Sequence, residues 1–285
     1  MKLLTLNAHS LLEADYERKL VYFAEYALRE QVDLIALQEV NQSVSAPEAE
    51  KWLLDGQYAL AEASRPVRAD NHAAWAAFLL RQAGVDCRWA YLPVKRGYGR
   101  FDEGVAILSV NREIVCADAQ TISGNRDYSE WKRRGILGVR LGGLNGWFYS
   151  VHTGWWQDPE EPFEAQWNRM QAHLDQRKGE HVYLMGDFNC PSGLRGEGYD
   201  LIRKAGWHDL YEAAEEKRGC ATVLRGIDGW NKEPTDGPGV RIDYIFCSRP
   251  VRVRSVKTVF DGVNEMQISD HLGILAEIEE ERLEK

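Results

Sequence analysis

Short apolar runs recur along the chain at Lys2–Leu6, Asp33–Leu37, Gly104–Leu108, Ile136–Leu141, Trp147–Val151, Val182–Met185, Ile242–Cys247 and Leu272–Ile278. Several are short and bracketed by Gly or polar residues, the pattern of buried strands. Between them the period changes. Leu20, Phe23, Ala24, Ala27 and Leu28 fall on one helical face, and Phe163, Trp167, Met170 and Leu174 form a second stripe. Weaker helical patterns cover 70–83 and 197–205. Strands interleaved with helices predict layered sheets covered by helices. No repeat, low-complexity tract or Gly/Ser/Pro-rich linker breaks the pattern, so one domain over 1–285 is expected.

The polar residues at the ends of these runs are informative. "KLLTLN" ends in Asn7, "LIALQE" in Glu39, "WFYSVH" in His152 and "VYLMGDFN" in Asp187 and Asn189. Two later runs carry theirs at the start: "RIDYIF" with Asp243, and "SDHLGIL" with Asp270 and His271. One such residue is ordinarily a turn or cap residue. Six coincidences point instead to strand ends that hand side chains to a shared site. If all converge, the last two strands run opposite to the first four, which predicts mixed or largely antiparallel sheets. A Rossmann sheet is disfavoured, since no G-x-G-x-x-G follows the first strand.

Charge and cysteine content narrow the setting. The formal net charge of −9 repels nucleic acid on average, because non-specific binding to it is mostly phosphate neutralisation. That weighs against a nucleic-acid partner, although a local basic groove would override it. The five cysteines are odd in number and lack C-x-x-C spacing, which fits a reducing compartment. The opening "MKLLTLN" turns polar too soon for a signal peptide. No apolar stretch approaches the roughly 18 residues of a membrane span. A cytoplasmic protein without membrane attachment is expected, and no protein partner is inferred.

Taken as one site, these residues offer carboxylates, amides and histidines but no thiolate. Hard oxygen ligands suit Mg²⁺, or Mn²⁺, rather than zinc. Glu39 is the principal candidate ligand, with Asn7 and Asp270 beside it. Asp243 is placed to hold His271 so that it meets a phosphoryl oxygen. Asp187 is suited to orient a water for in-line attack on phosphorus, with Asn189 fixing its angle. Whether Asp187 or His271 takes the proton is left open by the residues.

The motifs "TLNAHS", "IALQEV", "EGVAILS", "SVHTGWW", "MGDFN", "RIDYIF" and "SDHLG" occur in this order from residue 5 to residue 273. In this the chain resembles the endonuclease/exonuclease/phosphatase superfamily, whose fold is that of DNase I. The resemblance implies a four-layered α/β sandwich of two mixed β-sheets flanked by helices. It also implies Mg²⁺-dependent phosphoester hydrolysis with no covalent intermediate. Asn7 and Glu39 match its metal positions, Asp187 and Asn189 its water-orienting pair, and Asp243 and His271 its dyad. Asp270 matches the acidic residue beside that dyad. His152 matches the phosphate-contacting histidine of the phosphatase and sphingomyelinase branches, where DNA-repair members commonly carry asparagine. "VHTGWW" with "DGW" before "RIDYIF" is similar to a bacterial cytoplasmic subgroup that includes maltose 6'-phosphate phosphatase and RgfB-like proteins.

The expected reaction is therefore hydrolysis of a phosphomonoester, with a sugar phosphate such as maltose 6'-phosphate as the small phosphorylated substrate. The alternatives are a nuclease or other phosphodiesterase, and a non-enzymatic scaffold that has kept the fold. The scaffold is disfavoured because every expected polar position is intact. Among the ten tryptophans, Trp155 and Trp156 follow His152 closely and Trp230 sits in the Gly/Pro-rich "GIDGWNKEPTDGPG". All three are candidate sugar-stacking residues, with core packing as the competing role. Two basic segments, Lys95–Arg100 and Lys132–Arg134, offer phosphate contacts. Arg96, Tyr98 and Arg134 are the candidates within them, because a guanidinium meets phosphate in a bidentate fork.

Overall fold

Alternation along the strands sorts their side chains into an inner and an outer set. In the computed structural model, residues 1–61, 63–224 and 239–279 are described. The strands are β1 (Lys2–Asn7), β2 (Leu34–Ser43), β3 (Cys87–Gly97), β4 (Phe101–Val110), β5 (Ile114–Thr121), β6 (Gly135–Leu141) and β7 (Gly146–His152). They continue as β8 (His181–Asp187), β9 (His208–Asp209), β10 (Glu216–Arg218), β11 (Asp243–Cys247), β12 (Val253–Val259) and β13 (Gly273–Ile278). The helices that matter for packing are α1 (Tyr16–Glu30), α2 (His72–Gln82), α3 (Phe163–Leu174) and α4 (Gly198–Lys204).

One sheet has the order β10-β12-β13-β1-β2-β4-β3 and the other β5-β6-β7-β8-β11-β9. β1 pairs with β2 and β7 with β8 in parallel, whereas β13 is antiparallel to β1 and β11 antiparallel to β8. Both sheets are therefore mixed, and the two late strands run opposite to the four early ones, as the placement of polar residues requires.

Three apolar layers hold this together. Leu3, Leu34, Ala36 and Ile107 of the first sheet face Phe148, Tyr183, Met185 and Ile245 of the second. Their neighbours Leu4, Ile35 and Leu108 turn outward onto Leu20 and Phe23 of α1 and Ala77 and Leu80 of α2. On the far side Tyr149, Leu184 and Phe246 pack against Trp167 and Met170 of α3 and Ile202 of α4. Helix, sheet, sheet and helix give the four layers of a DNase I-like sandwich. Among the described residues no helix is long and apolar enough to cross a membrane.

Three strands of useful length escape the apolar-run reading. β3 and β5 are sheet edges, and an edge tolerates polar residues and proline. β3 accordingly carries Pro93 and Lys95, and β5 is largely half-buried. β12 interleaves its buried valines with Arg254, Ser255 and Lys257 and carries a bulge between Val253 and Ser255, so no apolar run forms.

Candidate active site

At one end of the sandwich the inter-sheet core turns polar. Following the inner face outward, Leu3 gives way to Thr5 and then Asn7, and Phe148 to Ser150 and then His152. Met185 is followed by Asp187. His152 and Asp243 are the register partners of Asp187 on either side, so the three side chains share one face. A buried polar link ties the sheets just beneath them: Gln38 Nε2 donates to Ser150 Oγ at 2.9 Å, and Ser150 Oγ donates to the Leu37 carbonyl at 2.8 Å.

Glu39 reaches this face by a different route. Leu37 packs outward, so simple alternation would send Glu39 outward as well. The β2–β4 register slips between Leu37 and Val40, and Glu39 adopts a φ of 49°. Val40, which alternation would turn inward, packs outward instead, so the bulge reverses the parity of the strand from Glu39 onward. Ser10 holds the bulge by donating to the Glu39 carbonyl at 2.7 Å and accepting from the Asn41 N–H at 3.0 Å.

The convergence predicted from sequence is present. Asn7 Nδ2 donates to Glu39 Oε1 at 2.9 Å and to Asp187 Oδ2 at 3.1 Å. The Asn189 N–H donates to Asp187 Oδ1 at 2.8 Å, while Asn189 Nδ2 reaches the Thr153 carbonyl at 3.0 Å. His271 Nδ1 lies 3.0 Å from Asp243 Oδ2. The Nε2 atoms of His152 and His271 stand 3.7 and 3.9 Å from Asp187 Oδ2. Asp270, beside His271, lines the same cavity, whose volume is about 410 Å³.

The two histidines are driven apart electrostatically. Burial, then the positive fields of Arg134, Lys95 and His271, push His152 well below its ordinary value, so it is neutral. Burial would lower His271 too, but the Asp243 carboxylate, and behind it Asp187 and Asp270, outweigh that and raise it to about 10. Loss of water at the cavity floor, followed by the Asp243 charge, raises Asp187 to about 7. Glu39 is raised by desolvation and then by the carboxylates of Glu103 and Asp270.

That crowding bears on a cofactor. Glu39, His152 and Asp187 bring ligand atoms within 4.8 Å of one another. Carboxylates gathered this closely repel, and a divalent cation among them would relieve the repulsion. The carboxylates of Glu39 and Asp187 suit a hard ion, with the Asn7 amide between them, whereas Asp270 gathers with His9 and Glu13 in a neighbouring cluster.

The substrate-side candidates divide. Tyr98, Arg134 and Trp155 line the cavity. Trp156 does not: its ring packs 6.2 Å from that of Phe163, against the core beneath α3. Arg96 also turns elsewhere, toward Asp102 at 3.6 Å. Trp230 lies outside the described residues.

Four wall residues were not singled out in the sequence, although Lys95 opens one of its two basic segments. Trp131 is half exposed with its ring 5.7 Å from Trp155, and it precedes a basic segment rather than following a catalytic motif. His9 lines the cavity with Nδ1 held 2.7 Å from Glu13 Oε1. Lys95 and Glu103 form a buried ion pair at 2.9 Å. Alternation from Leu92 and Val94 would turn Lys95 outward, but a register shift between Pro93 and Lys95 swings it in opposite Glu103. Glu103 itself was legible, two residues before the inward Val105 and inside "EGVAILS".

Comparison with known proteins agrees with this geometry. The model of the Endonuclease/Exonuclease/phosphatase family matches residues 4–271, so the chain belongs to that family of divalent-metal-dependent phosphoester hydrolases. A family protein from Leptotrichia buccalis is 28% identical, with 98% of this chain and 99% of that one aligned at a TM-score of 0.83. A mannosyl-6-phosphatase from Bacteroides thetaiotaomicron shares the fold at 17% identity and a TM-score of 0.66, covering 98% and 99% of the two chains. TDP2 from Caenorhabditis elegans does so at 18% and 0.59, covering 98% of this chain and 74% of its own. No curated protein matches the chain significantly.

Proposed function

We propose that the protein hydrolyses the phosphomonoester of a small sugar phosphate by direct attack of water on phosphorus. The observation that carries this reading is the cavity: about 410 Å³, with the Trp131 and Trp155 rings on its wall and Asp187, His152 and His271 on its floor. That volume lies in the range of small-molecule sites, roughly 300–1,000 Å³. Indole faces suit the apolar face of a sugar ring.

In the reaction Asp187, steadied by Asn7 and Asn189, orients the water and accepts its proton. A carboxyl raised to about 7 is matched to that task near neutral pH. Charged His271, kept in place by Asp243, and neutral His152 donate hydrogen bonds to the phosphoryl oxygens as charge builds on them. Glu39, with Asn7 and Asp270 beside it, would hold a divalent ion, Mg²⁺ or Mn²⁺, which would supply Lewis-acid stabilisation of the developing charge. The five cysteines are free thiols, in keeping with a reducing, cytoplasmic setting where sugar phosphates occur.

Cleavage of a phosphodiester in nucleic acid is the second reading, since the family spans nucleases as well as phosphatases. The net charge of −9 and the histidine at 152 weigh against it. The test is release of inorganic phosphate from a panel of hexose and disaccharide 6-phosphates with Mg²⁺ present. No release from any member by folded, metal-supplied protein, with cleavage of plasmid or abasic DNA that Glu39→Ala abolishes, would reverse the ranking.

A further inference from the structure

Arg134 is 3% exposed, yet its hydrogen bonds run only to main-chain oxygens among the described residues. Nε donates to Thr153 at 3.2 Å, and one terminal nitrogen donates to Trp131 at 3.0 Å and Arg133 at 3.2 Å. The guanidinium carbon stands 5.7 Å from the centre of the Trp155 ring. Carbonyls and an indole face solvate a guanidinium without neutralising it. Carboxylates act on Arg134 only through space, Glu103 first, then Glu39 and Asp187.

Lys95 joins it on the cavity wall, 8% exposed and turned inward by the β3 bulge. Lys95 has a counter-ion in Glu103 at 2.9 Å, and Glu103 is itself 4% exposed. Among the described residues Glu103 is the one carboxylate in contact with either cation, while Glu39 and Asp187 act on this wall from a distance. Placing an unmatched charge out of water is costly, so such a wall is built to meet an anion. The Thr153 carbonyl that accepts from Arg134 also accepts from Asn189, which fixes the wall relative to Asp187.

A phosphomonoester carries close to two negative charges at neutral pH, spread over three terminal oxygens. A diester carries one charge, and one of those oxygens bears a second carbon group. Against this wall the extra group would cover two desolvated cations and leave one of them unmatched, a penalty that selects by exclusion. We propose that Lys95, held by Glu103, and Arg134 bind the terminal phosphoryl oxygens and make the site select monoesters over diesters. This rests on the phosphoester-hydrolase reading above and identifies what sets its substrate class.

The test compares p-nitrophenyl phosphate with methyl p-nitrophenyl phosphate, which share a leaving group and differ by one methyl on a terminal oxygen. The quantity read is the ratio of the two kcat/KM values, which is independent of the fraction of protein folded. Lys95→Met should lower the monoester-to-diester ratio by at least about tenfold, with Lys95→Arg recovering most of it. The double variant Lys95→Met, Glu103→Met removes the ion pair as a unit, avoids an orphaned carboxylate, and should show the same fall. A ratio that moves by less than about tenfold in both overturns the assignment. If the unaltered enzyme cleaves the diester and not the monoester, the proposed function itself fails, whatever the variants do.

Discussion

Ser10 donates its hydroxyl to the main-chain carbonyl of Glu39 at 2.7 Å, and that contact pins the residue proposed as the principal cation ligand. Glu39 sits at a φ of 49°, a conformation that costs a non-glycine residue about 1 kcal/mol or more. The same hydroxyl accepts from the Asn41 N–H, so one side chain bridges both sides of the bulge. Ser10→Ala leaves both main-chain groups without this partner. The expected result is a stability loss of about 1–3 kcal/mol in denaturant unfolding. Half-maximal activity should also need more Mg²⁺, because a loosened bulge presents Glu39 less precisely. An unchanged Mg²⁺ titration would show that the bulge stands without Ser10.

Asp243→Asn separates charge from shape at His271. The amide is nearly the size of the carboxylate but does not hold the imidazolium charge, and Asp243 is the leading source of the upward push on His271. We expect kcat to fall by about 10²–10⁴ with a much smaller change in KM, since the lost charge acts mainly as negative charge builds on phosphorus. Steady-state kinetics on one sugar phosphate decides it. A lowered melting temperature across a Mg²⁺ series with kcat unchanged would mark Asp243 as a fold residue only.

How much of this was legible depends on where alternation holds. Asn7, His152, Asp187 and Asp243 continue the inward parity of their own strands, so a period-two reading places them together. Glu39 and Lys95 break that parity at bulges, which hydrophobic pattern does not record. Glu39 was found because it ends a strong apolar run; Lys95 was visible only as the first residue of a basic segment, because Pro93 breaks the pattern of its edge strand. Trp156 shows the opposite error. Proximity to His152 in sequence suggested the mouth of the cavity, but the ring is taken by the apolar face of Phe163. Trp131 carries no sequence signal, since only the packing against Trp155 brings it to the wall.

His72 supplies a pH dependence remote from the cavity. It opens α2, is 6% exposed, and accepts from or donates to Tyr16 at 3.1 Å through Nδ1. Burial lowers it from 6.5 to about 4. A helix N-terminus also disfavours a cation there. The unfolded chain thus binds a proton below about pH 6.5 that the folded chain refuses, so stability is full above that value and declines as pH falls toward about 4. Between about pH 7.5 and pH 5 this site alone should cost about 2 kcal/mol. Urea unfolding of the protein and of His72→Gln at both values should show a pH difference smaller by that amount in the variant.

Gly186 tests how closely β7 and β8 must approach beside Asp187. Its φ is 152°, and a Cβ built there would stand 1.9 Å from the Val151 carbonyl oxygen. That oxygen belongs to the parallel ladder, so it has no slack to give. Gly186→Ala should therefore force the strands apart and lower stability by about 3 kcal/mol or more, on the scale of severe overpacking. Thermal melting is the readout, and a shift of less than a few degrees would mean that the ladder adapts.

Glu39→Gln should uncouple stability from activity in opposite directions. In the metal-free protein Glu39 is desolvated and repelled by Glu103 and Asp270, so a neutral amide removes an unfavourable charge. The metal-free variant should melt at or above the temperature of the metal-free parent, as expected where a functional site stores repulsion. Mg²⁺ should then raise the melting temperature of the parent and not that of the variant, because binding to the folded state alone is stabilising. Activity should disappear on chelation and return with Mg²⁺ or Mn²⁺ in the parent, and fall by at least about a thousandfold in the variant at any metal concentration. A variant that melts well below the parent without metal would show that Glu39 is held for packing, and would move the cation site away from it.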